Sequence, residues 1–113
     1  NVSSGAGRRP IEGWSVYATA KAALDMFTRC VKLEQDGTSN PARVCALAPG
    51  VVDTAMQETI RGTDQERLPG VGRFRHLKEA GQLASPEETA RRILRLLASE
   101  DFGEREIDDI RNY

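Results

Sequence analysis

A short apolar run within residues 43–48 constrains the fold of this chain more than any other feature. Its apolar side chains are consecutive rather than alternating, which is typical of a strand covered on both faces in a parallel sheet. Pro49 and Gly50 end the strand. A helix is predicted over residues 15–35. Val2, which lies just before a turn of small residues, is interpreted as the end of an earlier strand. Strand, helix and strand in this order predict a right-handed βαβ crossover.

The remaining residues predict further helices, one mobile loop and a last strand. The helix that follows Ser85 has the clearest start, because Ser85 can cap it and Glu88 can complete a capping box. In chain order the segments are a helix Ala55–Arg61, a mobile loop over 63–72, a helix over 74–80, the helix after Ser85 and a strand over 105–110. The sequence therefore predicts an α/β protein with a single domain over residues 1–113.

Charge and composition exclude several classes of protein. Lysine and arginine total 16 against 17 aspartate and glutamate residues, and no basic stripe suggests nucleic-acid binding. No apolar run approaches the roughly 20 residues that span a bilayer. Cys30 and Cys45 lie in apolar segments without metal-ligand spacing, so both are predicted to be buried free thiols of a soluble, cytoplasmic protein with no metal site. His76, the only histidine, is predicted to be solvated rather than catalytic.

Tyr17 and Lys21 lie four residues apart in the long predicted helix and therefore on the same face. An ammonium beside a phenol favours the phenolate, so it eases proton release from a group whose unperturbed pKa is about 10. Such a pair suits a general acid that works near neutral pH. The competing interpretation is a packed tyrosine beside a solvated lysine.

The same helix carries two apolar stripes, which predicts that it is buried on two sides. One side would pack on the sheet and the other would form a subunit interface, in a homodimer or homotetramer. The first stripe is Ala20, Ala23, Leu24, Phe27 and Val31; the second is Met26, Cys30 and Leu33.

Three motifs, in order, resemble the C-terminal half of the short-chain dehydrogenase/reductase family: Asn1-Val2-Ser3-Ser4-Gly5, Tyr17-x-x-x-Lys21, and Pro49-Gly50-Val51-Val52-Asp53-Thr54. The resemblance covers essentially the whole chain. It implies the C-terminal part of a Rossmann-like, doubly wound parallel sheet with about three strands and flanking helices. The nucleotide-binding half would lie before Asn1, and we expect the chain to be a piece of a longer protein that binds a dinucleotide poorly by itself.

The resemblance also implies roles for individual residues. Tyr17 would donate a proton to the substrate carbonyl oxygen, Lys21 would lower the tyrosine pKa and bind the nicotinamide ribose, and Ser4 would hydrogen-bond the same carbonyl oxygen. Ser3 is interpreted as a turn residue. A second group would hold the nicotinamide, through the Val52 backbone, the Thr54 hydroxyl and the close approach allowed by Pro49 and Gly50. Thr54 can also cap the helix that follows it.

Motifs in the second half resemble the sepiapterin reductase and benzil reductase branch of this family. They are Asp53-Thr54-x-Met56-Gln57, Leu77-Lys78-x-x-Gly81-x-Leu83, Ser85-Pro86-Glu87 and Asp109-Ile110. The resemblance implies reduction of ketones or dicarbonyls with NADPH, with NADH not excluded, and a substrate-anchoring role for Asp109 toward a pterin. Two residues depart from the branch pattern: Arg105 replaces a glycine and Asp108 replaces an apolar residue.

Two other functions stay open from the sequence. One is a truncated, non-catalytic member of the family that acts only as an association module. The other is a family member that acts on sugar, steroid or acyl-carrier-bound ketones. The segment between Ala55 and Leu83 would cover the site and set the choice of substrate.

Overall fold

Four helices surround a small parallel sheet in the computed structural model, which describes residues 1–113. The helices are α1 (Ser15–Asp36), α2 (Ala55–Arg61), α3 (Val71–Glu79) and α4 (Pro86–Ala98), the strands are β1 (Ala46–Ala48) and β2 (Ile107–Asp109), and short 3₁₀ turns span Gly5–Gly7 and Ile110–Asn112. The predicted α/β class is therefore confirmed. No helix is both long enough and apolar enough to cross a membrane.

The sheet has its centre at β1, whose three residues are all buried. β2 pairs with β1 in parallel, with Ala48 opposite Asp109, and Val2 adds a single parallel bridge to Leu47 on the other side. The three predicted strand segments are thus present and parallel. The last two are shorter than predicted, and the first is reduced to one bridge.

The helices lie close to their predicted positions. α1 ends one residue later than predicted, α2 has the predicted bounds, and α3 begins at Val71 rather than at residue 74. Ser85 caps α4, since its Oγ accepts from the Glu88 backbone N–H at 3.1 Å. The predicted capping box is only half formed, because the Glu88 carboxylate pairs with Arg92 and Arg91 instead of reaching back.

The apolar core consists of two clusters. One lies between the sheet and α4, and the other lies where α2 and α3 meet the start of α1. The first contains Cys45, Leu47, Leu96 and Ile110 with Ile93 and Phe102; the second contains Ile60, Leu68 and Val71 with Trp14 and Phe74. The segment 63–72, interpreted as a loop with little apolar pattern, therefore contributes two core residues, Leu68 and Val71, because its two apolar side chains both point inward.

Helix α1 differs most from its prediction. Its two fully buried residues are polar, Asp25 and Thr28. In the first stripe, Leu24 and Val31 are half-buried whereas Phe27 is 59% exposed. The second stripe is exposed throughout, including Cys30, so the prediction of a buried Cys30 thiol is wrong; Cys45 is buried. α1 is joined to the rest of the molecule largely by polar contacts, which leaves most of its apolar side chains uncovered.

Arg105 and Asp108, the two residues that depart from the branch pattern, belong to one cluster of side chains near the C-terminus. Asp108 is buried in β2 and accepts hydrogen bonds from the Asn112 side chain and the Tyr113 hydroxyl, at 2.7 and 2.6 Å. Arg105 lies 3.7 Å from the same carboxylate. Asp108 is therefore a satisfied buried acid that fastens the last residues to the sheet.

Candidate active site

All eight side chains or backbone positions predicted to form a site line a single cavity of about 700 Å³. The cavity opens where the first strand segment, at Val2, and the strands β1 and β2 have their carboxyl ends. Ligands bind at this edge of the sheet in open parallel α/β proteins. The residues are Ser4, Tyr17, Lys21, Pro49, Gly50, Val52, Thr54 and Asp109.

Tyr17 and Lys21 lie in the first two turns of α1 and face this cavity. The Lys21 Nζ is 5.6 Å from the centroid of the Tyr17 ring. The same ammonium donates to the Val2 carbonyl oxygen at 2.8 Å, which ties α1 to the end of the first strand segment. Because an ammonium has three donors, this bond leaves two for other partners.

Ser4 follows the first strand segment and caps a 3₁₀ turn, with its Oγ accepting from the Ala6 backbone N–H at 3.2 Å. The turn lies directly on α1. A Cβ at Gly7 would come within 2.8 Å of the Lys21 carbonyl carbon and 2.9 Å of the Ala22 nitrogen. Only a glycine permits so close an approach, so Gly7 sets how near Ser4 lies to the helix that carries Tyr17.

The turn after β1 forms the opposite wall. Gly50 has φ +78°, in the left-handed region that glycine adopts without strain. Val52 then makes a parallel bridge to Ala84. Thr54 opens α2, but its hydroxyl makes no capping bond, so the predicted capping role of this side chain is wrong and the hydroxyl is free to bind a ligand.

Asp53 fixes this turn to the helices behind it. Its carboxylate binds Lys78 of α3 at 2.5 Å and lies 3.5 Å from Arg61 of α2. The hydrogen bond from Lys78 holds the pKa of Asp53 below its usual range. From the sequence, Asp53 had no role beyond its place in the motif, because its two cationic partners, Arg61 and Lys78, lie in helices further along the chain.

Asp109 lines the cavity, but Arg111 occupies its carboxylate. The guanidinium Nε and Nη2 atoms donate to Oδ1 and Oδ2 at 2.8 and 2.6 Å, and the Arg111 backbone N–H donates to Oδ1 at 3.0 Å. These hydrogen bonds lower the pKa of Asp109. A substrate group that binds Asp109 has to compete with Arg111.

Two aromatic residues that the sequence interpretation missed complete the cavity. Trp14 contacts Tyr17 edge-to-face, with centroids 5.1 Å apart, and stacks on Phe74 at 5.6 Å with an interplanar angle of 12°. The position of Trp14, three residues before Tyr17, was the sequence signal that could have identified it as a cavity residue. Gln57 of α2 also lines the cavity, and its buried Oε1 has no hydrogen-bond partner.

Comparison with known proteins shows which family this chain belongs to. The model of the short chain dehydrogenase family matches residues 1–65, more than half of the sequence. The chain belongs to the short-chain dehydrogenase family. The resemblance inferred from the three motifs is thereby confirmed.

Individual relatives point to one branch of the short-chain dehydrogenases. A benzil reductase ((S)-benzoin forming) of Bacillus cereus is 48% identical over 107 residues, which are 95% of this chain and 43% of that protein. A sepiapterin reductase of Meriones unguiculatus is 35% identical over 103 residues, 90% of this chain and 37% of that protein. The crystal structure of the KRED1-Pglu enzyme superposes with a TM-score of 0.79 at 35% identity, over 92% of this chain and 44% of that one.

This short-chain dehydrogenase chain thus spans about two fifths of the length of the curated relatives it matches. The family implies a nicotinamide cofactor, either NAD or NADP. The residues present fit the nicotinamide end of such a molecule. Lys21 and Thr54 both line the cavity, the Thr54 hydroxyl is not used for capping, and Gly50 presents backbone without a side chain, next to the Arg111 side chain.

Proposed function

We propose that the protein carrying this chain is an NADPH-dependent carbonyl reductase that acts on ketones and vicinal diketones. The observation that carries the proposal is that Ser4, Tyr17 and Lys21 line the same cavity as the turn Pro49 to Thr54. A proton donor, a hydrogen-bond donor for the carbonyl oxygen and a binding surface for a nicotinamide are thus available to one substrate carbonyl.

In the proposed mechanism the carbonyl carbon would receive a hydride, which is the chemistry that a reduced nicotinamide would supply when bound. Tyr17 gives its phenolic proton to the carbonyl oxygen, so the carbonyl becomes a hydroxyl group. Ser4 Oγ donates a hydrogen bond to the same oxygen, where negative charge develops. The Lys21 ammonium stabilises the resulting tyrosinate and keeps donors for the ribose hydroxyls while it remains bound to Val2.

The aromatic wall favours substrates that carry an aryl group. Trp14 and Phe74 stack beside Tyr17, so an aryl ring next to the reacting carbonyl would lie against an apolar, flat surface. The name of the Bacillus cereus relative, benzil reductase, agrees with such a substrate. A pterin side chain is the second candidate, and Asp109 would anchor it once Arg111 moves aside.

We further propose that the protein is a homodimer or homotetramer in the cytoplasm. The exposed apolar side chains of α1 support association, since apolar surface left uncovered can mark an interaction site. Two unpaired cysteines, Cys30 and Cys45, suit a reducing compartment. A non-catalytic association module would use the same helix face.

A cofactor-oxidation screen of the full-length gene product tests the catalytic proposal. An aryl diketone, a pterin and a simple aldehyde would be offered with NADPH and with NADH, after the intact mass is measured. We expect oxidation to be fastest with NADPH and the diketone. No oxidation with either cofactor and any substrate, from a protein whose mass is near 12.4 kDa, would favour the association module instead.

A further inference from the structure

Asp25 is a buried carboxylate that the mechanism above does not use. It lies on α1, one turn beyond Lys21, at 5% exposure, in a position where an amphipathic helix ordinarily buries an apolar side chain. The Ser3 hydroxyl donates to Asp25 Oδ1. Ser3 is itself 2% exposed, and its backbone N–H donates to the Leu47 carbonyl oxygen at 2.8 Å. Ser3 is therefore a buried link between the sheet and α1, and its interpretation as a turn residue is wrong.

The second oxygen of Asp25 faces Arg8. The Arg8 Nε lies 3.5 Å from Oδ2, and this oxygen accepts no hydrogen bond. A buried carboxylate is costly unless a positive charge compensates it. Arg8 supplies that charge, and its backbone N–H closes the 3₁₀ turn by donating to the Gly5 carbonyl oxygen at 3.2 Å.

Ser3 and Arg8 lie immediately before and after the segment Ser4 to Gly7. One carboxylate on α1 thus holds the residues on both sides of the segment that carries Ser4, while Gly7, the last residue of that segment, rests on the α1 backbone at Lys21 and Ala22. The distance between Ser4 and Tyr17 is set by these contacts, because the two residues belong to the two elements that Asp25 joins.

Lys21 also links α1 to the first strand segment, through the Val2 carbonyl oxygen. A ligand in the cavity would share this ammonium with the Val2 carbonyl oxygen. Asp25 and Arg8 do not line the cavity, although Ser3 does, so a ligand there would not contact the carboxylate or the guanidinium directly. We therefore expect the contacts of Asp25 with Ser3 and Arg8 to hold Ser4 in place when a ligand binds.

We propose that Asp25 is a positioning residue for Ser4: it acts on the reaction by fixing the Ser4 hydroxyl against the carbonyl oxygen that Tyr17 protonates. The proposal rests on the proposed function, because it requires Ser4 and Tyr17 to act on one carbonyl. Misplacement of a reacting group by about 1 Å can lower a rate by about a hundredfold. Loss of the anchor should therefore appear in kcat rather than in cofactor affinity.

The test is a double-mutant cycle of Asp25→Asn and Ser4→Ala in the full-length gene product, with diketone turnover and NADPH affinity measured for each variant. Asp25→Asn keeps the shape and an acceptor for Ser3 but removes the charge that holds Arg8. We expect kcat to fall at least about tenfold, with unchanged NADPH affinity. In the Ser4→Ala background the same substitution should change kcat by less than about twofold, because the group that it positions is gone.

Thr28→Val is the matched control. Thr28 is also a buried polar residue of α1, and its Oγ1 accepts from the Asn1 side chain at 2.8 Å, but it does not hold the Ser4 segment. We expect this control to lower the Tm while kcat is retained. If Asp25→Asn does not yield folded protein, Ser3→Ala replaces it in the cycle, with Ser3→Thr as the variant that restores the hydroxyl.

The outcomes separate the two proposals. Equal losses from Asp25→Asn in the wild-type and Ser4→Ala backgrounds would overturn the positioning role, as would unchanged kcat in a folded Asp25→Asn protein. Full turnover in Ser4→Ala and in Tyr17→Phe would instead overturn the proposed function.

Discussion

Tyr17 is the residue on which the proposed chemistry depends, and the second tyrosine of the chain provides its control. Tyr17→Phe removes the proton donor but keeps the ring that contacts Trp14. We expect carbonyl turnover to fall by about 10²-fold to 10⁴-fold with NADPH affinity retained. Tyr113→Phe, outside the cavity, should keep its turnover. Steady-state kinetics and cofactor fluorescence check both, and a Tyr17→Phe protein with normal kcat would exclude tyrosine as the acid.

Arg111 decides whether Asp109 is available to a substrate. The guanidinium is 66% exposed, so the pair contributes at most about 1 kcal/mol and a competing donor can open it. We expect Arg111→Leu to lower KM for a pterin up to about fivefold and to leave KM for an aryl diketone unchanged. An equal change in KM for both substrates would show that Arg111 acts on the cavity as a whole. Asp109→Asn serves as the control that removes the anchor itself.

Tyr113 makes stability depend on pH in the alkaline range. Its hydrogen bond to Asp108 raises the pKa of the phenol from 10.0 to about 12. A raised pKa means that this contribution is fully present below pH 10 and is lost as the pH rises toward 12. We expect the free energy of unfolding to fall over that window in the wild type and to fall less in Tyr113→Phe. Urea unfolding at several pH values measures the difference, and parallel curves would contradict it.

At the scale of single elements, the caps of α2 and α4 form a natural comparison. Ser85 accepts from the Glu88 backbone N–H, whereas the Thr54 side chain makes no capping bond at the start of α2. We expect Ser85→Ala to lower the free energy of unfolding by about 1 kcal/mol and Thr54→Ala by only about a few tenths of that value. Chemical denaturation measures both. Equal losses would mean that the Thr54 hydroxyl caps α2 in solution.

Element positions followed from local patterns, and this explains what the sequence could and could not predict. The β1 strand, α2 and the Ser85 cap depend on neighbouring residues, so their positions were predictable. Which side chains of α1 are buried depends on distant partners instead. Asp25 contacts Ser3 and Arg8 only because the 3₁₀ turn Gly5–Gly7 packs on α1. The periodicity of apolar residues in α1 does not predict these contacts.

The residues of the candidate site likewise divide into those that the sequence predicted and those that it did not. Its eight residues were found because a family pattern fixes their order, and the fold brings them to one cavity. Trp14 and Phe74 were missed because they lie outside the motifs, and Gln57, which lies within one, was given no role of its own. The pairing of Asp109 with Arg111 was missed because the partner lies beyond the motif.

For the molecule as a whole, the proposed subunit interface is formed by the exposed apolar side chains of α1. Its large apolar side chains include Phe27 at 59% and Leu33 at 75% exposure. We expect Phe27→Lys with Leu33→Lys to shift the full-length gene product toward the monomer, because a charge at an apolar interface is desolvated at a cost. Light scattering after size exclusion measures the mass. Leu94→Lys, on the equally exposed α4 position, is the control that should leave the mass unchanged.

The parallel pairing of the sheet has a consequence for the kinetics of folding. β1 lies between Val2 and β2, and both partners are distant from it in the chain. Each pairing therefore closes a long loop, and proteins rich in such non-local contacts fold more slowly than helical ones. The helices can form early from local contacts. We therefore expect the cavity, which lies where the three strand segments end side by side, to form later than the helices.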